Sequence, residues 1–135
     1  MIHLRHVALR CRDMEVSRRF YELLGLRFID YRPAGHALDL TDGALNMTLI
    51  QYDGEERPEM DEGSEYIHFG FIVDNSQVTF QRLQQAGAIF LRDNVKTRDP
   101  IRPGEVPPGS FKVADPDGNV VDITDNRQEW RGATP

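Results

Sequence analysis

The chain has 135 residues, of which 39% are hydrophobic and 28% charged, and its mean hydropathy is -0.52. This composition is typical of a soluble globular protein, and its apolar runs are too short to predict a membrane span. The formal net charge of -6 argues against nucleic-acid binding, which depends on basic surfaces. The single cysteine excludes an internal disulfide and fits a reducing cytosol. The N-terminal MIHLRHVALR starts directly on a strand pattern, so we expect no signal peptide and a cytoplasmic protein.

The first module is predicted to have the order β-α-β-β-β. Residues 2–11 alternate between two faces, as a strand does. Asp13 is predicted to cap a helix that ends at Gly25. Three further strands are predicted, separated by the turns Pro33-Ala34-Gly35 and Asp42-Gly43. They cover residues 26–31, 37–40 and 45–52.

The second module repeats this order after the acidic, apolar-poor stretch 53–65, which is predicted to be a linker. Asn75 is predicted to cap a helix through Ala86, and Gly87 to stop it. Residues 93–109 hold four of the eight prolines and are predicted to form a loop that is functional or mobile. The predicted strands cover residues 66–73, 88–91, 110–114 and 119–124, the last two joined by a turn at 115–118.

The two modules look like copies of one another, because the segment from His6 to Phe28 recurs sixty-two residues later. The matching pairs are His6 and His68, Asp13 and Asn75, Val16 and Val78, Gly25 and Gly87, and Phe28 and Phe90. An internal duplication predicts two equivalent units. We therefore predict one domain over residues 1–135: module one at 1–52, the linker at 53–65, module two at 66–125 and a tail at 126–135 without clear pattern. The two histidines then occupy equivalent mid-strand positions, from which a pair of modules can build one site.

Three residues are the candidates for chemistry: His6, His68 and Asp122. Asp122 lies between two apolar residues of the last predicted strand, where a carboxylate is costly unless a metal, a cation or several donors compensate it. Two neutral imidazoles and a carboxylate are ligands that divalent Mn, Fe, Co, Ni or Zn accept. The alternative for each residue is an interior polar side chain that is hydrogen-bonded within the protein.

The stretches HVALRCRDMEVSRRFYELLGLRF, IHFGFIVDN and FKVADPDGNVVDIT resemble the vicinal oxygen chelate superfamily. The resemblance covers roughly residues 3–125. This superfamily contains glyoxalase I, extradiol dioxygenases, fosfomycin-modifying thiol transferases, methylmalonyl-CoA epimerase and the bleomycin-resistance proteins. The resemblance implies an α+β fold in which two β-α-β-β-β modules form an open, mostly antiparallel, barrel-like sheet around a divalent metal. It also implies a homodimer.

The resemblance implies that the metal ligands are His6, His68 and Asp122. The last-strand ligand of this family is usually Glu, so the shorter Asp122 is one departure. Glyoxalase I takes a fourth ligand from the last strand of its first module. Counting from the Asp-Gly turn of each module, Met47 is expected at that position, with Gln51 as the nearest long polar residue.

Two classes of function therefore stay open. The first is a metal-dependent enzyme that binds two neighbouring oxygens of a small-molecule substrate, with the metal as Lewis acid. Its reaction would be that of a glyoxalase-like lyase or isomerase, or of a dioxygenase or thiol transferase, which suits a three-ligand set better. The second is a metal-free sequestration protein of the bleomycin-resistance type. Such proteins typically lack the histidine pair, so His6 and His68 argue for the enzyme.

Three further side chains, all arginines, are secondary candidates. Arg10 shares the strand face of His6 and could meet an anionic substrate, although a solvated arginine at a strand end is the simpler alternative. Arg98 and Arg102 lie in the proline-rich loop and could close over a ligand. Cys11 is predicted to be a buried, inert thiol. The predicted core residues are Val7, Phe20, Leu23, Phe69, Ile72 and Val121.

Overall fold

The computed structural model describes residues 2–54, 64–91 and 109–133. The chain divides into two compact units, Met1–Arg57 and Pro58–Pro135. Each unit has one helix and one four-stranded sheet, in the order β-α-β-β-β, so the predicted α+β class and the repeated order are confirmed. Most of the predicted linker lies outside the described residues, as does most of the proline-rich loop with Arg98 and Arg102.

In the first unit, the sheet has the order β1-β4-β3-β2, with β1 parallel to β4 and the other two pairs antiparallel. The first strand begins at His6 rather than at residue 2. The reason is that its neighbour β4 begins at Asn46, directly opposite His6, so the residues before His6 have no strand to pair with in this register. The elements are β1 His6–Cys11, α1 Met14–Leu24, β2 Arg27–Tyr31, β3 Ala37–Thr41 and β4 Asn46–Gln51.

In the second unit, the sheet has the order β5-β8-β7-β6, with β5 parallel to β8. Each sheet is therefore mixed, with two antiparallel pairs and one parallel pair. That both sheets form one open barrel stays a prediction. The elements are β5 Phe69–Ile72, α2 Ser76–Gln85, β6 Ile89–Phe90, β7 Ser110–Ala114 and β8 Val120–Thr124. Within the described residues the helices have only 11 and 10 residues, and neither can cross a membrane.

The helix ends confirm the duplication in detail. The Asp13 carboxylate accepts hydrogen bonds from two backbone N–H groups of the first turn of α1, at 3.0 and 3.2 Å. Asn75 Oδ1 accepts one from the first turn of α2, at 3.0 Å. Gly25 and Gly87 have φ angles of 111° and 78°, which lie in the left-handed region that favours glycine after a helix.

The core of each unit lies between its helix and one face of its sheet. In the first unit, the fully buried side chains of this layer are Tyr21, Leu38, Leu40, Met47 and Leu49. In the second unit they are Leu83, Phe111, Val113, Val121 and Ile123, with Phe80 in edge contact with Phe111.

The predicted core is only partly right. Phe20 and Val121 are buried, whereas Val7, Leu23 and Phe69 are half-buried. Ile72 is 37% exposed, because it lies on the edge strand β5 and has the parity of the face turned away from α2. That opposite face of each sheet carries the polar side chains, and every candidate ligand has the parity of this face. The fold thus separates an apolar, helix-covered face from a polar face in each unit.

Candidate functional site

Asp122 lies in the middle of β8 and its side chain is only 13% exposed. The strand register places it opposite Gly70 on β5 and Lys112 on β7. Lys112 Nζ is 2.7 Å from Asp122 Oδ1, and the lysine side chain is 10% exposed. A carboxylate in this setting was expected to need a metal, a cation or several donors. The structure supplies a cation, Lys112, which was not predicted from the sequence.

His68 lies directly before β5, rather than within a strand as predicted, and its side chain is 45% exposed. Its Nδ1 is 3.0 Å from Oε1 of Glu65, and its Nε2 is 3.5 Å from Oδ2 of Asp122. An ionised carboxylate only accepts hydrogen bonds, so Glu65 holds the proton on Nδ1. In the neutral ring, Nε2 then presents its lone pair to Asp122. Two facing acceptors are stable only when a cation, either a proton or a metal ion, lies between them.

His6 opens β1, and its ring orientation is also set by a hydrogen bond. Its Nδ1 is 2.6 Å from Asn46 Oδ1. The amide of Asn46 can be oriented with certainty, because its Nδ2 donates to Asp39 Oδ1 at 3.1 Å and a carboxylate cannot donate in return. Asn46 Oδ1 must therefore accept from His6 Nδ1–H. The lone pair of the neutral ring is then on Nε2, as in His68.

Asp39 is the centre of a polar cluster on the first sheet. The guanidinium of Arg32 binds both its oxygens, with Nε 3.1 Å from Oδ2 and Nη2 3.0 Å from Oδ1. Thr48 Oγ1 donates to Oδ1 at 2.7 Å, beside the bond from Asn46. Burial alone would raise the pKa of Asp39, but the hydrogen bonds from Arg32, Thr48 and Asn46 together hold that pKa below its ordinary value. This cluster was not predicted from the sequence.

The strand registers correct the predicted counterpart of Asp122 in the first unit. Ala8 and Gly70 are equivalent positions of the repeat, and they pair with Thr48 and Asp122 respectively. Thr48 is therefore the counterpart, not Met47, which is fully buried on the opposite face. Counting from the Asp-Gly turns failed because two residues separate Gly43 from β4, whereas only one separates Gly118 from β8.

The structure also places the other residues considered from the sequence, namely Gln51, Cys11 and Arg10. Gln51 accepts a hydrogen bond from the backbone N of Met14 at 3.1 Å and donates to the backbone O of Arg12, so it holds the entry to α1. Cys11 is 2% exposed, and its Sγ lies 3.5 Å from a backbone oxygen, so the predicted buried thiol is confirmed. Arg10 is exposed on the strand face of His6.

The tail contributes Trp130, a residue that was not predicted to belong to the site. Trp130 packs against Gly70, the neighbour of Asp122 across the sheet. A Cβ added to Gly70 would lie 2.6 Å from Cη2 of Trp130 and 3.0 Å from Cβ of Asp122. The indole therefore touches the polar face of the second sheet beside the carboxylate. A glycine inside a strand is the one sequence signal for such a close approach.

The structure thus brings two of the three predicted ligands, His68 and Asp122, together in one unit. His6 belongs to the other unit, so convergence of all three stays a prediction. Among the described residues, no three side chains of His, Cys, Asp or Glu form a ready metal-binding group. The available donors are nevertheless of the kind that a divalent transition metal accepts. They are one carboxylate oxygen and the Nε2 atoms of two imidazoles whose Nδ1 atoms are held by oxygen acceptors.

Comparisons with known proteins agree with this architecture. The family model described as Glyoxalase/Bleomycin resistance protein/Dioxygenase superfamily matches residues 3–123. A search of curated proteins finds no significant match.

Solved structures share the fold. The fosfomycin resistance protein FosX from Mesorhizobium loti superposes with a TM-score of 0.66 at 21% identity, over 93% of each chain. Oxidase ChaP-H2 superposes with a TM-score of 0.64 at 20% identity, over 90% of this chain and 91% of the other. A possible glyoxalase from Bacillus cereus gives 0.62 at 19% identity, over 92% and 99%. At these identities the likeness concerns the fold alone.

Proposed function

Because the chain belongs to the Glyoxalase/Bleomycin resistance protein/Dioxygenase superfamily, we propose that it is a metal-dependent enzyme acting on a small molecule with two neighbouring oxygens. The proposed ligands are His6, His68 and Asp122, and the proposed reaction is that of a glyoxalase-like lyase or isomerase or of an extradiol-type dioxygenase. The superfamily also includes binding proteins without enzymatic activity, so the proposal depends on the polar face of the second sheet.

The observation that carries the proposal is the facing pair of acceptors on this sheet. His68 Nε2 and Asp122 Oδ2 are 3.5 Å apart, and Glu65 holds the opposite nitrogen of the ring. A carboxylate behind a histidine is the arrangement that orients metal-binding imidazoles in proteins. His6 supports the same conclusion, since Asn46 fixes its ring with Nε2 as the lone-pair atom.

His6, His68 and Asp122 would hold the divalent ion, which would supply Lewis-acid chemistry toward the substrate oxygens. The chain's own residues would supply the rest. Glu65 and Asn46 keep the two rings in one orientation, and the ammonium of Lys112 lies against one oxygen of the Asp122 carboxylate. Trp130 provides an apolar surface beside the carboxylate, against which the substrate would exclude water.

The proposal is tested by measuring metal content and metal affinity before any substrate is known. Elemental analysis of protein purified without added metal should find close to one divalent ion per chain. His68→Ala should lose it and remain folded by circular dichroism, whereas the matched variant His36→Ala, which removes an exposed histidine after a turn, should keep it. Equal metal content in both variants would contradict the ligand assignment. A substrate screen under air and under argon would then separate oxygen-dependent from oxygen-independent reactions.

The second candidate is a metal-free binding protein of the bleomycin-resistance type. The specific observation in its favour is Lys112, which already neutralises Asp122 without any metal. In that case, the purified protein contains no metal, and His68→Ala and Asp122→Asn change ligand binding without changing metal affinity.

We also propose a homodimer, with the family resemblance as the main argument. The edge strand β2 exposes apolar side chains, with Ile29 48% and Tyr31 43% exposed, and a symmetric partner could cover them. Light scattering at micromolar concentration should give about twice the 15.5 kDa chain mass. A mass equal to one chain would contradict the dimer.

A further inference from the structure

The two oxygens of Asp122 have different partners: Oδ1 is 2.7 Å from the ammonium of Lys112, and Oδ2 is 3.5 Å from Nε2 of His68. We propose that Lys112 is a positioning residue that reserves Oδ1, leaves Oδ2 as the only carboxylate oxygen for a divalent metal, and limits the affinity of the site for that metal. This inference rests on the proposed function.

The strand geometry keeps Lys112 in place. It stands directly opposite Asp122 in the antiparallel register of β7 and β8, and its side chain is almost fully buried. The ammonium therefore stays near any ion bound at Oδ2. In partly buried surroundings the repulsion between two cations a few ångströms apart is strong, so Lys112 lowers metal affinity. The same ammonium neutralises the buried carboxylate when no metal is bound.

The first unit shows why lysine, and not arginine, suits this role. There, Arg32 reaches Asp39 with two nitrogens and covers both carboxylate oxygens. A guanidinium is a planar fork that matches both oxygens, whereas an ammonium is a point charge that can occupy one. In Lys112→Arg, the guanidinium should therefore bind both oxygens of Asp122, as Arg32 binds both oxygens of Asp39, and the positive charge is kept.

Two substitutions at this position should act in opposite directions. Lys112→Met removes the repelling charge, so its affinity for Mn²⁺ and Zn²⁺ should rise about tenfold or more. In EDTA its melting temperature should fall, because Asp122 is left buried without its cation. Lys112→Arg should lose metal affinity by a similar factor and keep the melting temperature of the natural protein in EDTA.

The experiment is isothermal titration of each variant with Mn²⁺ and with Zn²⁺, together with thermal unfolding in EDTA. Arg18→Met is the matched control, since it removes a cation from the Arg18–Glu22 ion pair on α1 and should leave metal affinity unchanged. If Lys112→Met does not fold, Lys112→Gln replaces it with the same expected direction.

The outcomes separate the two levels of the proposal. If the natural protein binds metal and both Lys112 variants bind it equally well, the inference is wrong and the proposed function stands. If neither the natural protein nor Lys112→Met binds Mn²⁺ or Zn²⁺, both are wrong. A gain for Lys112→Met together with a loss for Lys112→Arg supports the inference.

Discussion

Asp39 in the first unit and Asp122 in the second both lie on the polar face of a sheet, and each has a basic partner. They occupy different strands: Asp39 stands on β3 opposite Thr48, whereas Asp122 stands on β8 opposite Lys112. The acid has thus changed strands between the two copies. In the first unit arginine, threonine and asparagine donate to the carboxylate, and in the second a lysine binds one of its oxygens.

This difference indicates that the two carboxylates have different roles, one in stabilising the first sheet and the other in ligand binding. The carboxylate of the first unit has its hydrogen-bonding capacity filled by neighbours, so it organises its own sheet and the ring of His6 through Asn46. The carboxylate of the second unit keeps one oxygen toward a histidine lone pair. A filled cluster stabilises a fold, whereas an incompletely matched one can bind a ligand.

The largest expected effect belongs to Asp122→Asn. It should abolish tight metal binding and lower the free energy of unfolding by about 3–5 kcal/mol, because the buried ion pair between Asp122 and Lys112 is lost. Titration calorimetry and urea unfolding measure the two effects. Asp30→Asn, an exposed acid on β2, is the control and should change neither. An unchanged free energy of unfolding in Asp122→Asn would show that the ion pair between Asp122 and Lys112 does not stabilise the second unit.

Asp39→Asn should have a smaller and differently distributed effect. The charged hydrogen bonds from Arg32 and Thr48 weaken, so the free energy of unfolding should fall by about 1–3 kcal/mol. Metal affinity should weaken by about tenfold at most, since Asp39 acts on His6 only through Asn46. If Asp39→Asn instead abolishes metal binding and leaves the free energy of unfolding unchanged, Asp39 serves the metal site rather than the stability of the fold.

Gly70→Ala tests a second difference between the units, because it adds the methyl group that Ala8 already has at the equivalent position of the first unit. The new Cβ would meet Trp130 at 2.6 Å, so the ring must move, and stability should fall by about 1–2 kcal/mol. Ala8, the equivalent position of the first unit, already carries a Cβ, so Ala8→Gly is the reverse control. Urea unfolding of both variants measures the difference. A neutral Gly70→Ala would mean that the contact with Trp130 does not constrain the tail.

The smallest expected effect is the pH dependence of stability. Hydrogen bonds lower the pKa of Asp39 despite its burial, and the Ser76 backbone N–H lowers the pKa of Asp125. A carboxyl with a lowered pKa contributes stability that is complete above its ordinary pKa and is lost as pH falls through the lowered one. Stability should therefore decrease on acidification below the ordinary carboxyl range. Urea unfolding as a function of pH should give a weaker decrease for Asp39→Asn.

The sequence predicted what depends on local periodicity. The element order, the Asp13 and Asn75 caps and the burial of Asp122 followed from residues within a few positions of one another. One prediction required the strand register and was wrong. The counterpart of Asp122 was misassigned to Met47, because two residues follow the Asp-Gly turn before β4 but only one follows it before β8.

The partners of the candidate site also needed tertiary structure. Lys112 is ten residues from Asp122 in sequence and becomes its neighbour only through the antiparallel pairing of β7 and β8. Glu65 fell within the predicted solvated linker, yet its side chain is only 8% exposed and it holds His68. Side-chain pairing across strands is set by register, which alternation patterns alone do not give.

Trp130 is the only tryptophan of the chain, and it touches the glycine beside Asp122. The tryptophan fluorescence of the protein, excited apart from that of its four tyrosines, therefore originates from one indole that packs on the glycine opposite Asp122. A paramagnetic ion such as Co²⁺ or Mn²⁺ binding there should quench that emission, whereas Zn²⁺ should alter it much less. The tail thus gives the second sheet a built-in optical reporter, with which occupancy can be followed without a label and without a known substrate.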